Sequence, residues 1–147
     1  MAGLKGILNC CCDDCCPEQL EVVIQSNVSS CDYWLGTYVL DKITPSAGNT
    51  CEWEYTGSNP SDCGGTFTLT AVLWVNTAPM LPLCILQVFA SCDSDSMRWD
   101  VGVTSIYSVC CAPIHDGNCT MSGPITATGS FGSCLNSQLP NACATYL

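Results

Sequence analysis

The sequence predicts an all-β protein: a disulfide-stapled antiparallel β-sandwich. Three observations carry this. Short runs with alternating apolar and polar residues recur along the chain, separated by loops rich in Gly, Pro and Asn. No stretch shows an amphipathic helical period of useful length. Fifteen of 147 residues are cysteine, a level that marks a disulfide scaffold. The length fits one domain able to bury a real core. The division expected is an N-terminal Cys-rich arm over 1–17 and a single sandwich domain over 18–147.

The strands follow in order. Leu20, Val22 and Ile24 alternate with Glu21 and Gln25 and predict a first strand. Asn27 to Cys31 is a turn. Tyr33 to Asp41 is a second strand, in which Gly36 marks a bulge or a close backbone approach. Pro45, Gly48 and Asn49 make a loop of 44–50. Cys51, Trp53 and Tyr55 face inward while Glu52 and Glu54 face water. After a loop containing Pro60, Cys63 and Gly64, Thr66 to Asn76 places Phe67, Leu69, Ala71, Leu73 and Val75 inward. Its outward face ends in Val72 and Trp74, a candidate interface; the competing reading is a covering loop.

Leu83 to Cys92 is apolar on both faces and should be a central strand. Asp93 to Ser96 is a polar turn. Arg98 to Ser108 puts Trp99, Val101 and Val103 on one face. A Thr-rich strand from Gly123 to Phe131 turns Ile125, Ala127 and Phe131 inward, and 135–141 is a loop. A last strand begins at Ala144 and stops abruptly at Leu147. About eight strands at this spacing fit a jelly-roll or immunoglobulin-like sandwich.

The cysteines are Cys10, Cys11, Cys12, Cys15, Cys16, Cys31, Cys51, Cys63, Cys84, Cys92, Cys110, Cys111, Cys119, Cys134 and Cys143. Five fall between Cys10 and Cys16, where neighbours are poorly placed to bond each other, so they should pair with distant positions. The odd total leaves one unpaired or intermolecular, and connectivity is open at this stage. Extensive bridging implies an oxidising final environment. Met1 to Asn9 is too short in its apolar part for a secretory signal and lacks a cleavage site. Two expectations reconcile this: a virus particle assembled in the cytosol and oxidised after release, or a leader missing from the sequence given.

Acidic residues number 13 against 3 basic ones, for a net charge of −10. Lys5, Lys42 and Arg98 are too few to clamp phosphates, which argues against nucleic acid and anionic lipid. Residues 69–90 carry no charge, but Pro79, Pro82 and the alternation argue against a membrane span.

Chemical motifs are sparse. Cys12-Asp13-Asp14-Cys15 is the one C-x-x-C and has no second pair, so zinc is not expected. Asp93, Asp95 and Asp100 approach the opening of a calcium loop but lack its Gly and closing Glu. His115 is the sole histidine, near Cys110, Cys111 and Cys119; cysteines expected in bridges are not nucleophiles. No phosphate loop, serine elbow or dinucleotide fingerprint occurs. The expectation is no enzyme activity and no cofactor. Trp34, beside Tyr33 and Asp32, and Trp99, beside Arg98 and Asp100, are candidate glycan contacts, against the ordinary burial of aromatics. Asn27 and Asn118 sit in glycosylation sequons.

Several stretches together resemble a group of cysteine-rich β domains encoded by tailed phages of aquatic bacteria and by planctomycete-like bacteria. They are Cys15-Cys16-Pro17 with its strand to Ile24, Gly36 to Leu40 after Cys31, Cys51-Glu52-Trp53, Cys63 to Leu69, and Gly123 to Gly129 with Cys134 and Cys143. In that group the last strand runs further than it does here. The resemblance implies a non-enzymatic extracellular or virion accessory role and carries no binding residues. The expected function is a structural protein on a virus particle, as a capsid decoration or tail accessory subunit. It would form homo-oligomers or join other virion proteins, with localisation at the virion surface or outside the cell. The alternatives are a glycan- or host-receptor-binding module and a subunit of an extracellular filament.

Overall fold

The computed structural model describes residues 16–76, 83–105 and 119–147. Cys10, Cys11, Cys12, Cys15, Cys110, Cys111, His115 and Asn118, and the side chain of Val75, lie outside the described residues.

The described chain is all-β, with eight antiparallel strands and two single 3₁₀ turns, Ser29–Cys31 and Asn136–Gln138. The strands are β1 (Gln19–Gln25), β2 (Gly36–Ile43), β3 (Cys51–Glu54), β4 (Phe67–Asn76), β5 (Leu83–Cys92), β6 (Asp95–Ser105), β7 (Thr126–Thr128) and β8 (Asn141–Tyr146). They form one sheet in the order β7-β6-β5-β4-β3-β2-β1-β8. Chain neighbours pair as hairpins from β1 to β7; β8 returns to pair with β1. β5 is central, as its two apolar faces require: β4 pairs with it along ten residues and β6 along the other side.

The sheet curls until its far ends approach. Trp99 of β6 donates its indole N–H to the carbonyl of Pro140, just before β8, at 3.1 Å. Ser122 makes a two-bond bridge with Ala142 of β8, each bond 2.9 Å. The result is a half-barrel with its apolar side enclosed. Alternation puts Leu20, Val22 and Ile24, Tyr38 and Leu40, Trp53, Phe67, Leu69, Ala71 and Leu73, Leu86 and Val88, and Met97 and Trp99 into that interior, all buried. Phe131 and Leu139 close it from the loops.

Four disulfides tie this curl. Cys16 bonds Cys51, so the start of the described chain is fastened to β3. Cys31 bonds Cys134 across 103 positions, joining the β1–β2 connection to the loop before β8. Cys63 bonds Cys92, and Cys119 bonds Cys143. Cys84 is buried in β5. The Cys16 link bears out, for that residue, the expectation that the N-terminal cluster reaches distant partners.

Two sequence expectations change, and one open alternative closes. Val103 is 52 % exposed, whereas Trp99 and Val101 are buried. The register slips between Leu86 and Gln87: Gln87 faces Asp100, but Leu86 faces Gly102. Val101 is the extra residue, and a bulge of this kind reverses the side assigned to everything beyond it. Ile125 is 42 % exposed, because pairing begins only at Thr126 and the strand is three residues long. Gly36 serves close approach rather than a bulge, since β1 and β2 pair in unbroken register. The Tyr38 ring lies 3.4 Å from where a Cβ on Gly36 would stand.

Candidate functional site

The outer face of β3–β6 carries the most unusual surface among the described residues. Register arranges it in rows. Glu54, Thr70, Phe89 and Arg98 form one, and Glu52, Val72, Gln87 and Asp100 the next. Trp74, Ile85 and Val103 form a third. The third row is thus wholly apolar, and Phe89 and Val72 add apolar side chains to the two charged rows, on a side that should be plainly polar in a half-barrel.

A groove of about 290 Å³ opens there, lined by Gly48, Asn49, Val72, Trp74, Gln87 and Phe89. The β2–β3 loop supplies Gly48 and Asn49. Glu52 fastens that loop: its carboxylate accepts the Ser46 N–H at 2.9 Å and the Asn49 amide at 3.1 Å. Partial burial alone would raise the pKa of Glu52, but these bonds to the charged form win and hold it below the usual value. Val72 is 9 % exposed and Trp74 half-buried, and both line the groove with that loop. The β2–β3 loop stands beside Val72, in the direction of the covering reading, and Trp74 keeps a partly outward surface.

A hydrogen-bond relay crosses the groove floor. The Trp74 indole N–H donates to Gln87 Oε1 at 3.0 Å, and Gln87 Nε2 donates to Asp100 Oδ1 at 2.7 Å. The relay fixes the amide orientation and leaves the second oxygen of Asp100 unengaged by described residues. Beside it, the Arg98 guanidinium carbon stands 5.9 Å from the centre of the Phe89 ring, a cation–π geometry.

The sequence candidates fall elsewhere. Trp34 is 2 % exposed and Trp99 fully buried, so neither offers a ring face to a glycan. Trp34 packs edge-on to Phe67 and Phe131, and the Trp99 indole is committed to Pro140. Burial of aromatics won, as their size favours. Asn27 is exposed, and its side-chain amide donates to the Ser137 carbonyl. The acidic trio is dispersed. Asp93 accepts the Thr66 N–H, Asp95 accepts the Ser130 N–H, and Asp100 serves the relay. No cluster of three His, Cys, Asp or Glu side chains able to hold a metal occurs among the described residues. No helix of the described residues is long and apolar enough to cross a membrane.

A larger cleft of about 620 Å³ lies beside the Cys16–Cys51 bridge, lined by Lys42, Ile43, Thr44, Pro45 and Thr50. Its one charged lining residue, Lys42, is already paired with Glu18 at 2.8 Å.

Trp74 was legible as outward-facing from alternation alone. Its partners were not, because they depend on the turn between β5 and β6. Expecting a four-residue turn from Asp93 to Ser96 sets Gln87 opposite Gly102. In the structure Cys92 pairs with Asp95, leaving Asp93 and Ser94 as the turn, and Asp93 takes a left-handed φ of +55°. That shorter turn brings Asp100 beside Gln87.

No family model, no curated protein and no solved structure matches the chain.

Proposed function

We propose that the chain is a non-enzymatic structural protein exposed to an oxidising medium, displayed on the surface of a virus particle as a capsid decoration or tail accessory subunit. The observation that carries this reading is the placement of the four disulfides. They join positions 24 to 103 apart in sequence and fasten loops and strand ends rather than a catalytic centre. Such bridges confine the unfolded chain and suit a domain that must survive dilution and proteases. In the finer description, we read the curled sheet as a sandwich-type scaffold whose ends face each other across the core.

The carboxylates support a structural role. Asp62, Asp93, Asp95 and Glu52 each accept a backbone N–H, of Trp34, Thr66, Ser130 and Ser46 respectively. They act as fixed acceptors that shape loops. The net charge of −10 suits an outer surface kept apart from like copies and from nucleic acid.

Mass spectrometry of purified extracellular particles, without reductant, tests the proposal. The expected result is the full chain in stoichiometric amounts with Cys16–Cys51, Cys31–Cys134, Cys63–Cys92 and Cys119–Cys143 recovered as linked peptides. Recovery only from the cytosol, with those eight thiols reduced, overturns it.

A further inference from the structure

We propose that the groove on the outer face binds the terminal residue of a neutral glycan, with Trp74 as stacking platform and Gln87, Asp100 and Asn49 as hydrogen-bonding partners. This goes beyond the structural role and does not depend on which particle or surface carries the protein.

The ligand class follows from the groove's chemistry. A pyranose ring has an apolar C–H face and a rim of hydroxyls that both donate and accept. Its apolar face needs a flat ring to stack on, and its rim needs fixed polar groups at the edge of that ring. Trp74 is the tryptophan that is half-buried, while Trp34, Trp53 and Trp99 are wholly inside. Its N–H is consumed by Gln87, so the face of the indole is what it has to offer. Phe89 and Val72 continue the apolar wall. Around it stand a carboxylate acceptor (Asp100) and two amides (Gln87 and Asn49), each capable of both roles. All three are pinned before a ligand arrives: Gln87 from both sides, Asp100 by Gln87, and Asn49 by Glu52. Pinned polar groups around an aromatic wall bind with little ordering cost.

Size and charge narrow the class. At about 290 Å³ the groove lies at the lower end of ligand pockets, fitting a chain terminus rather than a long segment. Asp100 and Glu52 share one charged row; Glu54 and Arg98 stand in the neighbouring one, so three carboxylates face one guanidinium and the field is net negative. This field opposes sialic and uronic acids and leaves neutral sugars favoured. The same carboxylates oppose a second copy docking face to face, since both partners would bring them to one interface.

The test is a titration of the isotopically labelled full chain with neutral hexoses and their N-acetyl forms, and with sialic and glucuronic acid, read by NMR at the Trp74 indole N–H. The expected result is a saturable shift with at least one neutral sugar at millimolar concentration and a weaker response to the acidic ones. Asp100→Asn and Gln87→Leu each weaken that affinity about tenfold or more, as losing a fixed hydrogen bond to a hydroxyl implies. Trp74→Ala abolishes it, read at the Gln87 side-chain amide, while the buried indole signals of Trp53 and Trp99 stay in place and certify the fold. Three outcomes overturn the proposal: no saturable shift with any neutral sugar, equal or tighter binding of the acidic sugars, or affinity unchanged in Asp100→Asn and Gln87→Leu. Concentration-dependent broadening at Trp74 without sugar, removed by Trp74→Ala, assigns the face to self-association and also overturns it.

Discussion

Trp34 has a left-handed φ of +58°, which costs a bulky residue steric strain, and its neighbours explain how that conformation is held. Asp62 accepts the Trp34 N–H at 2.7 Å and the Tyr38 hydroxyl donates to the Trp34 carbonyl at 2.6 Å. Tyr38 stands edge-on to Tyr55, with ring centroids 5.0 Å apart. Burial first, and then the charge of Asp62, push the Tyr38 phenol up to about 12. Because the folded value exceeds the ordinary 10, this group's contribution is intact below pH 10 and declines as pH rises from about 10 to about 12. Tyr38→Phe should cost about 1 kcal/mol in urea unfolding at neutral pH, by loss of the bond to Trp34, and should flatten that alkaline decline. Asp62→Asn should lower the Tyr38 midpoint in an ultraviolet titration. Glu52 behaves in the opposite sense. Its pKa is depressed, so its contribution is present above the ordinary carboxylate range and is lost as pH falls through the lower folded value. The Ser46 amide resonance should report this, moving with a midpoint below that of an unperturbed glutamate.

The bulge in β6 shows how one residue redirects a strand. Val101 and Val103 are two positions apart and would share a face in a regular strand, yet one is 2 % and the other 52 % exposed. Their substitutions should therefore separate. Val101→Ala should cost about 2 kcal/mol through lost burial and a residual cavity, and Val103→Ala should stay within about 0.5 kcal/mol. Equal costs in denaturant unfolding would contradict the assigned register. The chain leaving β7 has a similar constraint. Gly129 has φ of +121°, and a Cβ there would run into Asp95, whose carboxylate accepts the Ser130 N–H. A side chain at that position would displace the acceptor as well as strain the backbone.

Over the whole molecule, the bridges hold the curl in proportion to the chain they enclose. The Cys31–Cys134 loop spans 103 positions and the Cys119–Cys143 loop 24. Chain-entropy arguments put their contributions at about 4.7 and about 3.4 kcal/mol. Replacing both cysteines by alanine should therefore destabilise the protein more at the first pair than at the second, measured as the shift in guanidinium midpoint. The first bridge also fastens the connection that contains Trp34 and packs Phe131 against Tyr33, with centroids 5.2 Å apart. Its loss should reach the local residues described above, and the second bridge's loss should not.

Much of the fold was legible beforehand because period-two burial is written directly in the side chains. Leu20, Val22 and Ile24, or Cys51 and Trp53, can share a buried face only as strands, and β5 had to be central because both its faces are apolar. The cysteine content likewise announced a bridged, oxidised molecule, since that many sulfurs have few other uses in so small a core. Alternation also turned Trp74 outward. It could not bring Gln87 and Asp100 to it, because those neighbours are set by the length of one turn, and a shift there changes every pair along the strands. Nor could it choose among cysteine pairings or bury Trp34 and Trp99, which depend on how far the sheet curls. Faces follow from local chemistry, whereas partners follow from closure, and closure is a property of all eight strands together.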